Sequence, residues 1–139
     1  MLAPERPRSA ESKFRLLYLG NDLEFIAAMR QVLPEPVYAL VSCSDWGGAV
    51  LFLNSDIRYD LMLIDFDWRG KEGLELARLA QSLAHREDMP IVAVAGRRVN
   101  SAVKTLARKG GVKKCVTKSP DLGKLSEAIR QLIEVSRDV

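Results

Sequence analysis

Three short runs, VYALVSC (Val37–Cys43), LMLID (Leu61–Asp65) and PIVAVA (Pro90–Ala95), are almost continuously apolar. A strand that is hydrophobic at successive positions must be covered on both faces, which is the condition of a parallel sheet held between helices. Two more mixed runs, FRLLYL (Phe14–Leu19) and KKCVT (Lys113–Thr117), extend the set to five. Between them the period changes from two to 3.6. Val99, Ala102, Val103 and Leu106 form one apolar stripe at i, i+3, i+4, i+7, and Leu122, Leu125, Ala128, Ile129, Leu132 and Ile133 form another. Leu23–Leu33, Trp46–Asn54 and Gly73–Ala84 complete five helical segments, with Pro34, Pro36 and Gly110-Gly111 as breakers. Strand alternating with helix five times predicts one α/β domain with a parallel sheet.

Composition agrees with a soluble globular domain: 139 residues, 47% hydrophobic and 28% charged, with a net charge of +3. No run approaches the ~18 apolar residues of a membrane-spanning helix, and MLAPERPRSAESK lacks the apolar core of a secretory signal. The cytoplasm is therefore the expected location. Residues 1–12 are polar, hold two prolines and show no periodicity, so they are expected to form a flexible arm preceding a domain over 13–139. Cys43 and Cys115 are too few for a disulfide framework and match no metal motif.

Parallel βα units bind ligands beyond the carboxyl ends of their strands. The residues expected there are Gly20, Asn21 and Asp22 after the first strand, Asp65 ending the third, Ala95 and Gly96 at the fourth, and Lys118 after the fifth. A carboxylate closing a buried apolar run is costly unless paired or put to use. Two readings of Asp65 and Lys118 stand side by side: a structural ion pair closing the sheet, or an acceptor carboxylate with a cation placed to neutralise developing charge.

From Phe14 to Ile133 the chain resembles the receiver domains of two-component response regulators. The resemblance is carried by DLMLIDFDWRGKEGLEL, with Asp65 and Gly73 eight apart, by MPIVAVAG, and by KGGVKKCVTKSPDLGKL, with Lys118. It implies a flavodoxin-like (βα)5 three-layer sandwich of strand order 2-1-3-4-5, with Asp65 as the phosphoacceptor candidate and Lys118 as its charge partner. It also exposes departures. Gly20 and Asn21 stand where the family carries two adjacent acids that hold magnesium, and Asp22, one place later, is expected to point elsewhere. Ala95 replaces a Thr or Ser hydroxyl, Cys115 an aromatic, and Ser119 the proline that customarily follows the lysine. The ligands left for Mg²⁺, namely Asn21, Asp65 and Asp67, imply a weak site, because an amide oxygen brings no charge.

The resemblance thus implies an atypical single-domain receiver, not an enzyme, that transmits a signal by protein contact with weakened or absent phosphorylation. A working Mg²⁺-dependent phosphoacceptor at Asp65 is the alternative, and a histidine kinase, phosphotransfer protein or downstream effector is the implied partner. Arg97, Arg98, Lys104, Arg108, Lys113 and Lys114 cluster around the fourth helix and fifth strand, the family's usual partner face. A solvated basic face and an acidic protein partner are both open readings. Nucleic acid is disfavoured because no reading helix or interleaved aromatics accompany the cations, and homodimerisation through the fourth and fifth helices stays open. A small α/β hydrolase or nucleotide binder is disfavoured because no GxGxxG, Walker loop or nucleophile elbow is present. Trp68 is expected either to cover the pocket or to pack on a neighbouring loop, Trp46 to join the core, and His85 to sit solvated at a helix end.

Overall fold

The computed structural model describes residues 13–118 and 122–137, so the expected arm over 1–12 lies outside the described residues, as do Ser119 and Pro120. Five strands, β1 (Phe14–Leu19), β2 (Tyr38–Cys43), β3 (Leu61–Asp65), β4 (Ile91–Ala95) and β5 (Val112–Thr117), form one parallel sheet in the order β2-β1-β3-β4-β5. Helices α1 (Leu23–Val32), α2 (Trp46–Asn54), α3 (Phe66–Arg69), α4 (Gly73–Ser82), α5 (Ser101–Lys109) and α6 (Gly123–Arg137) connect and cover it. Strand order and layering agree with the expectation; the single turn α3, which follows β3 without a break, is an addition to it.

Burial separates the strands differently from hydropathy alone. Every residue of β3 and β4 is buried, as continuous apolar runs require. β1 looked mixed, yet lies inside the sheet and exposes only Arg15 in part, whose side chain reaches the Arg58 carbonyl at 3.2 Å. β2 was expected to be covered on both faces but is an edge strand, and none of its residues is fully buried.

Two apolar clusters hold the layers together. Tyr18, Leu16, Leu61, Leu63, Val92 and Val94 meet α1 and α6 on one face. Leu17, Leu19, Met62, Ile64, Ile91 and Ala93 meet α2, α4 and α5 on the other. The α5 stripe read from sequence is only partly used. Val103 and Ala107 rest on the core, whereas Ala102 is exposed and Leu106 is 40% exposed. Ala107 has no side chain beyond Cβ, so the helix seats on the i, i+4 pair and turns Leu106 outward.

Helix starts follow local chemistry. Asp22, Asp45 and Asn100 each accept a hydrogen bond from the backbone N–H three residues on, at 3.0, 2.7 and 2.9 Å. Gly73 opens α4 against β3, where a Cβ would sit 2.8 Å from Ile64 Cγ2. The last carbonyls of α2 are closed by Arg86, whose guanidinium donates to Phe52 O (3.0 Å), Leu53 O (3.0 Å), Ser55 O (2.9 Å) and Ile57 O (2.6 Å). It also lies 5.0 Å over the Tyr59 ring. Exposed His85 stands beside it, with Nε2 3.1 Å from Leu53 O and 3.0 Å from Ser55 O.

Candidate functional site

The carboxyl ends of β1, β3, β4 and β5 meet at Asp65. Its side chain is 1% exposed and is held by three partners. Oδ1 accepts the Asp67 N–H at 2.9 Å, so Asp65 caps α3. Oδ2 accepts from the Tyr18 hydroxyl and lies 2.6 Å from Lys118 Nζ. Lys118 arrives because its backbone N–H continues the sheet onto Ala95 O at 2.7 Å. Its ammonium then gathers two more carboxylates, Asp22 Oδ2 at 2.8 Å and Asp67 Oδ2 at 3.1 Å, and stands 5.4 Å over the Phe25 ring. Asp67 Oδ2 also accepts the Gly96 N–H at 2.7 Å, fastening α3 to the end of β4.

The electrostatics follow from these contacts. Burial pulls the Lys118 ammonium towards neutrality, but its hydrogen bonds to Asp22, Asp65 and Asp67 outweigh that and raise its pKa. The hydrogen bond from Lys118, then that from the Phe25 N–H, lowers the Asp22 carboxyl. Burial first, and the Asp65 carboxylate second, push the Tyr18 phenol well above its ordinary range.

Tyr18 and Asp22 are the two site residues that sequence reasoning missed. Asp22 was expected to point away; instead it turns inward because one oxygen caps Phe25 while the other reaches Lys118. The signal was present, since an Asp directly before an amphipathic stretch is an N-cap, and a cap places the carboxylate at the strand–helix junction. For Tyr18 the signal was weaker: a phenol in a central aliphatic strand needs a buried acceptor, but nothing in the sequence says which. Gly20 makes room for it. A Cβ at position 20 would lie 2.5 Å from the Tyr18 hydroxyl and 2.7 Å from Asp65 Cβ, so no side chain fits while the phenol is in place.

The other expected positions are accounted for. Asn21 is exposed; Ala95 is buried and supplies only its carbonyl to the Lys118 N–H. Cys115 is half-buried on β5 against the α2/α4/α5 cluster, and burial raises its thiol pKa. It sits on the opposite sheet edge from Cys43, and both cysteines are free. Trp68 packs beside Trp46 (ring centroids 6.2 Å apart), with the Arg69 guanidinium 5.4 and 5.2 Å over the two rings. Of the basic residues, Lys104, Arg108, Lys113 and Lys114 line one cleft, while Arg97 and Arg98 lie exposed on the loop after β4, outside that lining.

The shape of the molecule is shared with solved structures. It superposes on a CheY-like receiver domain protein from Methanospirillum hungatei with a TM-score of 0.78 and 20% identity, over 91% of this chain and 98% of that one. This chain has the receiver fold. A response regulator from Thermotoga maritima matches with a TM-score of 0.76 and 18% identity, over 88% of this chain and 98% of the other. The receiver domain of a Pseudomonas aeruginosa sensor histidine kinase, with a magnesium ion in its active-site cleft, gives 0.73 and 16%, over 88% and 99%. No family model and no curated protein matches the sequence.

The receiver fold brings magnesium into question here, and the donor set decides the fit. The inward oxygens of Asp22, Asp65 and Asp67 all converge on the Lys118 ammonium, and Asp65 Oδ2 carries the Tyr18 hydroxyl as well. Mg²⁺ demands near-octahedral oxygens at about 2.0–2.1 Å. Among the described residues no group of three or more His, Cys, Asp or Glu is arranged to hold a metal. As arranged, these residues fit an ammonium ion and not a divalent metal.

Proposed function

We propose that this chain is a phosphorylation-independent receiver-type module that relays a signal in two-component pathways by protein contact and performs no catalysis. The observation that carries this reading is the Lys118 ammonium, bonded to Asp65, Asp22 and Asp67 at 2.6, 2.8 and 3.1 Å while the Tyr18 hydroxyl holds the same Asp65 oxygen. Phosphoryl transfer relies on positioning and charge stabilisation, most of it supplied by the metal. Here the acceptor oxygen is hydrogen-bonded twice, and the carboxylates that would carry the metal are already engaged by the chain's own cation. Ala95 offers no hydroxyl to couple a modified Asp65 to the rest of the molecule. The module therefore rests in one conformation and presents a fixed surface to a kinase, a phosphotransfer protein or a downstream effector. Arg97, Arg98, Lys104, Arg108, Lys113 and Lys114 form the proposed contact face.

The second reading is a phosphoacceptor that takes its phosphoryl group from a histidine kinase or phosphotransfer protein, with weakly bound Mg²⁺. It draws on Asp65 standing at the end of β3 with a lysine 2.6 Å away. Intact-mass analysis after incubation with acetyl phosphate, with and without Mg²⁺ and beside Asp65→Asn, separates the two. No adduct at any magnesium concentration is expected. A metal-dependent adduct that vanishes in Asp65→Asn would overturn the first reading and establish the second.

A further inference from the structure

A cleft of about 770 Å³ opens at the amino ends of the strands, the end of the sheet opposite Asp65. It is lined by residues of the turns that enter β3 and β4 and by Ile133 of α6. That volume suits an organic molecule rather than a single ion. Three carboxylates, Asp56, Asp60 and Asp88, stand in the lining with two guanidiniums, Arg58 and Arg86. Arg86 spends four donor contacts on the carbonyls at the end of α2. Arg58 donates through Nε to Asp60 at 3.4 Å, and Asp60 also takes the Arg15 N–H at 2.8 Å. Asp56 is exposed and forms no ion pair among the described residues.

Charge alone would leave this a solvated acidic turn. A second observation points to a ligand. Tyr59 lines the same cleft and is 4% exposed, yet its hydroxyl has no hydrogen-bond partner among the described residues. A buried phenol ordinarily finds one. The Arg86 guanidinium lies 5.0 Å from the centre of its ring and fixes it beside the cleft. Burial pushes the phenol above its ordinary range, so it stays neutral and acts by hydrogen bonding alone. His85 adds an acceptor. Its Nε2 lies 3.1 and 3.0 Å from two carbonyl oxygens, which assigns the hydrogen to Nε2 and leaves Nδ1 of the neutral ring a bare lone pair. The lining is thus rich in acceptors, and the donors of Arg86 are turned away from it.

We infer that this cleft binds a small organic cation, with a guanidinium or alkylammonium head on a short aliphatic stem. The N–H groups of the head supply what Asp56, the Tyr59 oxygen and His85 Nδ1 lack. The stem covers Met89 and Ile133, the larger apolar side chains of the lining. A divalent metal does not fit, because among the described residues no three His, Cys, Asp or Glu are arranged to hold one. An anion would meet three carboxylates.

The test uses the full chain, labelled with ¹⁵N, titrated with butylguanidinium, with its uncharged isostere butylurea, and with the peptide acetyl-Gly-Arg-Gly-amide. Butylguanidinium is expected to shift the amides of the β3 and β4 entry turns saturably, with a Kd of about 1 mM or below, and butylurea to leave them in place. Tyr59→Phe and Asp56→Asn should each weaken binding about five- to tenfold. Glu24→Gln, an exposed carboxylate at the far end of the sheet, should not change it. Circular dichroism checks that each variant is folded; Asp56 is exposed, so its variant keeps the test open should Tyr59→Phe fail to fold. Tighter binding of the peptide than of butylguanidinium assigns the head to an arginine side chain, and weaker binding assigns it to a free cation; either supports the inference. It is overturned if butylguanidinium gives no saturable shift, if butylurea binds as tightly, or if folded Tyr59→Phe and Asp56→Asn both bind like wild type.

Discussion

Replacing Lys118 by Met keeps most of the side-chain volume and removes the cation from beneath three carboxylates. The three contacts are unequal. Asp67 is 48% exposed and Asp22 35% exposed, so water screens their share and each is worth a few tenths of a kcal/mol. Asp65 is 1% exposed, and without Lys118 its charge is left against the Tyr18 hydroxyl and one backbone N–H. Breaking a buried pair from one side costs about 3–5 kcal/mol. For a domain of this size that corresponds to a fall in Tm of about 10–20 °C. The cost should also depend on pH. In the wild type the depressed Asp22 carboxyl contributes stability that is complete above its unfolded pKa and lost as pH falls through its lower folded value. In Lys118→Met the Asp22 carboxyl loses the contact that lowers it most, so less stability is left to be lost on acidification and the deficit against wild type narrows. Urea unfolding followed by circular dichroism at pH 7.5 and at pH 3.0, below the ordinary carboxyl value of 3.8, measures both terms. A loss under about 1 kcal/mol, or one equal at the two pH values, would refute the argument that a desolvated Asp65–Lys118 pair anchors this site.

Two further substitutions probe the supports of the site. Gly20→Ala should cost about 1–3 kcal/mol, because its Cβ meets the Tyr18 hydroxyl and Asp65 Cβ, and Tyr18→Val/Gly20→Ala should lose less than the sum of its two parts when the four proteins are compared by urea unfolding. Arg86→Met should lose about 3–5 kcal/mol, because four backbone carbonyls at the end of α2 lose their donor in a buried setting. Arg86→Lys should recover little of it, since one ammonium cannot span them; full recovery by lysine would mean that charge, not geometry, is what α2 needs.

The layers and strand order were legible because they depend on hydropathic period, which acts over a few residues and is written locally. The places of Asp65 and Lys118 were legible for the same reason, since each closes or follows a run; that Gly20 and Asn21 stand where receivers carry acids came from the resemblance alone. What escaped was set by neighbours distant in sequence. Position 18 reads as one more apolar residue of β1, and only the register bringing Leu19 beside Ile64 shows that its phenol ends at Asp65. The partial exposure of β2 follows from which strand holds the edge, a property of topology rather than composition. The stripe on α5 misled because hydropathy gives the direction of a helix face, whereas the small Ala107 set where the helix came to rest.

The interlock between Tyr18 and Gly20 gives the site a direction in mutational space. Placing an acid at position 20 first drives a side chain into the phenol and into Asp65 Cβ. Shrinking Tyr18 first opens a void under a buried carboxylate that loses a donor. Both single steps lead downhill in stability, so a change to an acid at position 20 crosses a valley whichever residue moves first. The present arrangement behaves as a ratchet, in which folding stability alone opposes either step.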